Sequence, residues 1–326
     1  MRGHCARLVR CEPRQVAFVK NTSEALSFVA EGLDLGDGDV VVVADREFPS
    51  NVYPWWGLER LGVEVRMIDT PEGGLTASDV ARVLDGSVRV VALSAVAYGT
   101  GDRLDLGAVA SLCRASGALF VVDGIQAIGA VGLDFGGAGL DCIAADGHKW
   151  LCAPEGCGFM AVSDRLLERL RPSQLGWKSV MERSSYHPYE FRLRRDAAVL
   201  EAGSLNLLAV HALGAAVDLA LEVGVEAIED RLTELTAAIE DGVRSRGLRL
   251  LGQRGCATAD APRSRSGIVT FVPRGAPERV RQELWARDVV AKVRFAGIRV
   301  APHHYQDSRD VARFLDALDE AEAAAA

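Results

Sequence analysis

Short, almost uninterrupted apolar runs recur along the first half of the chain, and no other feature constrains the fold so tightly. They read VAFV (Val16–Val19), VVVV (Val40–Val43), RVVALS (Arg89–Ser94), LFVVD (Leu119–Asp123), CIAAD (Cys142–Asp146) and GFMAV (Gly158–Val162). A strand with one wet face alternates apolar and polar positions; a run this continuous must be covered on both faces. Between the runs the periodicity is helical, as in NTSEALSFVAEGL, with Gly32 as a stop signal. VEVRMI supplies a further strand after a helix. The pattern predicts an α/β fold with a mostly parallel central sheet and helices on both faces.

From about Leu205 a long helical stretch begins, and GIVTFV (Gly267–Val272) and GIRVAP (Gly297–Pro302) then mix with two helices. The division expected is a large domain over residues 1–220 and a smaller C-terminal α+β domain over 221–326. ATADAPRSRS (Ala257–Ser266) reads as a loop. The length of 326 residues suits two domains, and 49% hydrophobic with 25% charged residues excludes disordered, coiled-coil and collagen-like chains.

The charge balance, 37 − 45 = −8, provides no footprint for nucleic acid or an anionic membrane. No run approaches the roughly 18 apolar residues of a spanning helix. MRGHCARLVRCEPRQ lacks the apolar region of a signal peptide. The seven scattered cysteines form no evident disulfide framework, so a cytoplasmic compartment is expected. Cys152 and Cys157 have no second pair nearby, and no metal is expected. No G-x-G-x-x-G follows the first strand and no P-loop signature occurs, which disfavours a dehydrogenase and an NTPase.

The chemistry concentrates between Leu119 and Gly158. In open parallel sheets, ligands sit outside the carboxyl ends of the strands. Asp123 closes one strand, Gln126 follows in the turn, and His148 and Lys149 are expected at the end of the next. An amine that meets a carbonyl cofactor forms a Schiff base, and a nearby carboxylate can hold a pyridine nitrogen protonated. The residues thus suit pyridoxal phosphate. The plain alternatives are an Asp that merely caps the next helix and a solvated lysine.

VVDGIQAIGA, ADGHKWL, NTSEAL, EFPSNVYPW, EAGSLN and GIRVAPHHY, occurring together, resemble the class V aminotransferase family of pyridoxal-phosphate enzymes, of fold type I, whose members include cysteine desulfurases and isopenicillin N epimerase-like enzymes. The resemblance implies that Lys149 forms the Schiff base, that Asp123 pairs with the pyridine nitrogen, that Gln126 lies near the ring hydroxyl and that His148 lies near the phosphate. It implies a phosphate site at Thr22 and Ser23, where the opening turn of a helix also favours an anion; simple capping is the rival there. Phe48, or its neighbour Pro49, falls where a group stacks on the cofactor ring. Ser204 matches a hydroxyl that reaches the partner subunit's phosphate, implying a homodimer with shared active sites. Arg299 matches the arginine that holds the substrate's α-carboxylate, with Arg294 as its competitor.

Tyr98 falls where relatives carry an asparagine near the cofactor, and His303 and His304 fall at the pocket mouth or in a surface loop. Asp146 replaces a small phosphate-contacting hydroxyl and is expected to be hydrogen-bonded or turned away. The segment matching RQVAFV lies close to the start, so the N-terminal part of the family fold is expected to be missing. The desulfurase position reads RVAPHHYQ, without a cysteine; Cys256 is the sole cysteine of the C-terminal third. The reading is an enzyme acting on an α-amino acid by aminotransferase-type or C–S/β-lyase chemistry. The alternatives are an epimerase, a cysteine desulfurase, or a truncated non-catalytic scaffold.

Overall fold

The computed structural model describes residues 1–70, 74–182, 187–252 and 266–325. It divides into two compact units. The first comprises Met1–Asp69, Thr76–Ala95 and Asp105–Gly224; the second includes Val96–Leu104 and Val225–Ala326.

The first unit runs α1 (Arg2–Val9), β1 (Val16–Val19), α2 (Thr22–Gly32), β2 (Val40–Ala44), α3 (Tyr53–Trp56), β3 (Glu64–Ile68), α4 (Ala77–Val83), β4 (Val88–Ser94), α5 (Leu106–Ser116), β5 (Leu119–Asp123), α6 (Phe135–Ala138), β6 (Cys142–Asp146), β7 (Gly158–Val162), α7 (Asp164–Leu167) and α8 (Leu207–Val223). Its sheet has the order β1-β7-β6-β5-β4-β2-β3. Only β7 runs against its neighbours, pairing antiparallel with β1 and β6; the other pairings are parallel. This is the α/β, mostly parallel sheet expected of the apolar runs.

Every residue of β1, β2, β5, β6 and β7 is buried, as continuous apolar strands require. β3, at the sheet edge, is largely open to solvent and carries the charged Glu64 and Arg66. Edge charges of this kind blunt pairing with another chain. A core of Val41, Val43, Val90, Val121, Ala144 and Met160 joins one sheet face to Leu26 and Val29 of α2. Burying each of these valine, leucine and methionine side chains contributes about 1.5–3 kcal/mol.

Most of the opening stretch, Arg2–Val9 of MRGHCARLVRCEPRQ, forms α1. Its Cys5, Ala6, Leu8 and Val9 are buried, and it packs against α8.

The second unit contains α9 (Val225–Ser245), β8 (Arg249–Leu250), β9 (Val269–Val272), α10 (Pro277–Trp285), β10 (Lys292–Arg294), β11 (Gly297–Val300) and α11 (Ser308–Ala325). Its antiparallel sheet has the order β10-β11-β9-β8. Phe271 and Ile298 pack with Leu235, Ile239 and Val243 of α9, Leu284 of α10 and Leu318 of α11.

The units part at Gly224 and Val225 rather than after residue 220, and Val96–Leu104 joins the second. Side-chain bonds draw that segment in. Thr270 Oγ1 donates to the Gly99 carbonyl and Ser266 Oγ to the Gly101 carbonyl, both at 2.8 Å. Most of the expected loop Ala257–Ser266 lies outside the described residues, as does Cys256. Among the described residues no single helix is long and apolar enough to cross a membrane.

Candidate active site

Three strand ends of the first unit carry the site. Asp123 is the last residue of β5, directly across from Ser94, the last residue of β4. β6 ends at Asp146, so His148 and Lys149 stand two and three residues beyond it in a turn, not on the strand end as expected. The strand stops there because Gly147 turns back: its N–H donates to the Cys157 carbonyl at 3.0 Å, and the Ala153 N–H donates to its carbonyl at 2.9 Å. A Cβ on Gly147 would lie 2.7 Å from Leu213 and 2.8 Å from Ala153, so only glycine allows that close return.

Asp123 is 1% exposed. Its Oδ1 accepts the Ile125 N–H at 2.9 Å, a local turn bond, while its Oδ2 is buried with no hydrogen-bond partner. Burial pushes its pKa up to about 6, opposed by the Ile125 N–H and by the charge of Lys149. A simple capping carboxylate would not leave a buried oxygen unsatisfied, since an orphaned acceptor costs about 1–3 kcal/mol. The arrangement suits a ligand that brings its own N–H.

Lys149 is half-buried, and its Nζ stands 5.7 Å from the centre of the Phe48 ring. Phe48 is 39% exposed and precedes the short turn Pro49–Asn51. Gln126, in the turn after β5, is buried, and its Oε1 accepts the Trp150 indole N–H at 3.2 Å. That bond ties the turn after β5 to the turn that carries Lys149.

The helix opening at Thr22 is capped by Asn21, whose Oδ1 accepts the Glu24 N–H at 2.9 Å; Thr22 and Ser23 are therefore not the cap. Thr22 is buried, and its hydroxyl oxygen accepts the Asp146 N–H at 3.1 Å, leaving its own O–H as a donor. Ser23 is exposed and shares a 2.7 Å bond with Ser50. The first turn of an 11-residue helix with spare hydroxyl donors favours an anion.

Asp146 does not oppose this, because its carboxylate is occupied locally. Oδ1 accepts the Gly147 N–H at 2.7 Å, and Oδ2 lies 3.1 Å from His148 Nδ1, an ion-pair distance without hydrogen-bond geometry.

The sequence reading missed Glu47. Its carboxylate accepts both the Ser94 N–H, at 2.6 Å, and the Ser94 hydroxyl. Burial of the carboxyl pushes its pKa up to about 7, the Ser94 bonds hold it back, and the charge of Asp123 adds to the rise. Glu47 thus moors the Phe48 segment to the strand end beside Asp123. A charged residue next to the aromatic in DREFPSN was the only available signal.

Ser204 is exposed, in the segment before α8, and lines a cavity of about 400 Å³ with Lys20, Glu24, Gln174 and Asn206. Neither Asp123 nor Lys149 lines that cavity. In the second unit, Arg299 lies on β11 and its Nη1 donates to the Tyr98 carbonyl at 2.6 Å. His303 stacks on Tyr305 with ring centres 4.5 Å apart and accepts the His304 N–H at Nδ1.

Comparison with known proteins places the chain in a family. The aminotransferase class-V family matches residues 1–314. A probable cysteine desulfurase of Methanothermobacter thermautotrophicus is 32% identical over 247 residues, 75% of this chain and 60% of that protein. The isopenicillin N epimerase of Streptomyces clavuligerus is 29% identical, over 98% of this chain and 83% of that one. Among solved structures, a cysteine desulfurase from Thermococcus onnurineus NA1 superposes with a TM-score of 0.88 over 99% of this chain and 83% of that chain, at 24% identity. That last likeness establishes the shared fold. The matched stretch thus spans about three-fifths of the Methanothermobacter protein's length.

Proposed function

The chain belongs to the class-V aminotransferase family, whose cofactor is pyridoxal phosphate, and from that premise we propose that it binds this cofactor and acts on an α-amino acid, with C–S or β-lyase-type chemistry as the leading reaction. The observation that carries the reading is Asp123 Oδ2: a fully buried carboxylate oxygen without a partner, on a side chain that feels the charge of Lys149.

When bound, pyridoxal phosphate supplies an electron sink for bonds at the substrate's α-carbon. Asp123 offers Oδ2 to the ring N–H, and its negative charge favours the protonated ring. Lys149 would hold the cofactor through its amine, and its Nζ would be the base that takes or returns the α-proton. The Thr22 and Ser23 hydroxyls and the α2 amides would hold phosphate. Phe48 would cover the ring, Gln126 fixes the turn beside it through Trp150, and His148, close to Asp146, would stand on the phosphate side. Arg299 takes the α-carboxylate. Ser204, exposed and lining a cavity that Lys149 does not line, would serve a second copy of the chain in a homodimer.

Relatives named as cysteine desulfurases support the C–S reading. A second reading, epimerisation, is favoured by the near-complete match to an isopenicillin N epimerase. RVAPHHYQ offers imidazoles where a sulfur-accepting thiolate would be needed. Sulfur taken from cysteine therefore leaves as free sulfide.

The test is a visible absorption band on the purified protein that borohydride removes, followed by peptide mapping. The label is expected on Lys149, and a label on another lysine would overturn the site. Product analysis for pyruvate, sulfide and keto acid, with α-deuterium exchange, then separates lyase, aminotransferase and epimerase. A persulfide forming on Cys256 during turnover would restore the desulfurase.

A further inference from the structure

The small sheet of the second unit has two unlike faces. Val293 on β10, Ile298 on β11 and Phe271 on β9 turn to the apolar core. The alternation that sends them inward places Arg294, Arg299 and Thr270 on the opposite face. Arg294 pairs across the hairpin with Gly297 and Lys292 with Arg299, so the two arginines are diagonal neighbours, within reach of long side chains.

Both arginines are half-buried. Among the described residues neither has a carboxylate partner. Arg299 Nη1 donates to the Tyr98 carbonyl at 2.6 Å, and Arg294 Nη1 to the Val293 carbonyl at 2.8 Å. Arg294 Nε is buried and makes no hydrogen bond. Each guanidinium carries five donors, so most of each fork is left over. Burial and the neighbouring Arg294 both weaken Arg299's hold on its proton, the mark of two like charges held together.

The arrangement is built rather than incidental. Tyr98 serves both arginines: its carbonyl fixes Arg299, and its ring lies 5.8 Å from the Arg294 guanidinium. Phe295, at the hairpin tip, packs on Tyr98 with ring centres 6.1 Å apart and adopts a left-handed φ of 52°. A non-glycine residue there costs on the order of 1 kcal/mol or more. Gly99 admits the Phe295 ring, which a Cβ would approach to 2.2 Å. Fixed, half-buried, unpaired positive charges are costly unless an anion completes them.

We propose that Arg294 and Arg299 form a paired anion site, Arg299 for the α-carboxylate and Arg294 for a second acid group, so that the substrate is an α-amino acid with an anionic side chain. One carboxylate satisfies one fork; the second guanidinium asks for a second anion. This rests on the amino-acid reading of the previous subsection and adds the substrate class to it.

The test uses the purified holoenzyme. Calorimetry compares succinate with butyrate, which differ by one carboxylate at equal chain length. Cofactor absorbance compares L-aspartate with L-asparagine and L-glutamate with L-glutamine. Succinate and the acidic amino acids are expected to bind about tenfold or more tightly than their neutral counterparts. Arg294→Gln should bring each ratio to within about twofold, and Arg294→Lys, which keeps the charge and loses the fork, should retain part of it.

Equal binding of the paired ligands by the parent, or an unchanged ratio in both variants, overturns the proposal. A protein that carries its cofactor on Lys149 yet shows no acidic preference refutes this inference alone. A protein that takes up no pyridoxal phosphate refutes the proposed function, while the succinate ratio still reports on the arginine pair.

Discussion

The amine of Lys149 stands 5.7 Å from the centre of the Phe48 ring, although the two residues are a hundred positions apart in sequence. Glu47, next to Phe48, is bound to Ser94, and Ser94 faces Asp123 across the sheet. The ring, the amine and the orphaned carboxylate are thus linked through one strand end. Phe48→Ala should weaken retention of pyridoxal phosphate by about 5–10-fold, the usual worth of an aromatic contact, while Phe48→Tyr keeps it. Titration of the apoprotein with the cofactor measures this. An unchanged dissociation constant in Phe48→Ala would remove the ring from the site.

The pH dependence of the apoprotein follows from Asp123 and Glu47, whose folded pKa values rise to about 6 and about 7. Each carboxyl binds its proton more tightly folded than unfolded, so their contribution is fully present only below the ordinary carboxylate values of about 4. It is lost as pH climbs from there through about 6 and about 7, by about 3 kcal/mol for each group. Asp123→Asn should therefore stabilise the apoprotein at pH 8 by about 3 kcal/mol and have little effect at pH 4. Denaturant titration at the two pH values is the measurement. The same variant should lower turnover by about 10²-fold, because the charge at the electron sink is gone. Equal stabilisation at both pH values would show that the carboxyl is not the titrating group.

Thr22 has two duties that can be separated. Thr22→Val leaves the buried Asp146 N–H without an acceptor and should cost about 1–3 kcal/mol in stability as well as phosphate affinity. Thr22→Ser restores the hydroxyl and should recover most of both. If Thr22→Val matches the parent in thermal unfolding, the Asp146 bond has no structural weight.

Gly158 opposes Asp146 across β6 and β7, and a Cβ there would come within 2.1 Å of the Ala145 carbonyl oxygen. Backbone cannot yield as a flexible side chain does, so Gly158→Ala should destabilise by about 2–3 kcal/mol. It should also loosen the turn that carries His148 and Lys149. Thermal unfolding and borohydride labelling of Lys149 read the two effects together; an unshifted midpoint would contradict the close packing.

The sequence by itself determined the strands and their burial. LFVVD, CIAAD and GFMAV became β5, β6 and β7 residue for residue, because a strand covered on both faces has no tolerance for polar positions and its ends are therefore written in its own composition. Asp123 was legible for the same reason, as the first charge after such a run. Tertiary structure alone decided the rest. The reversed direction of β7 depends on pairing with β1, far away in sequence, and local composition carries no strand direction. Lys149 was expected on a strand end and stands in a turn, because the return of Gly147 onto Cys157 and Ala153 ends β6 early. Glu47 and Arg294 gave no periodic signal. Each matters through what lies beside it in space: Ser94 and Asp123 for the one, Tyr98 and Arg299 for the other. Whether a charge is paired or left waiting for a ligand is a property of its neighbours, and only the folded chain supplies those.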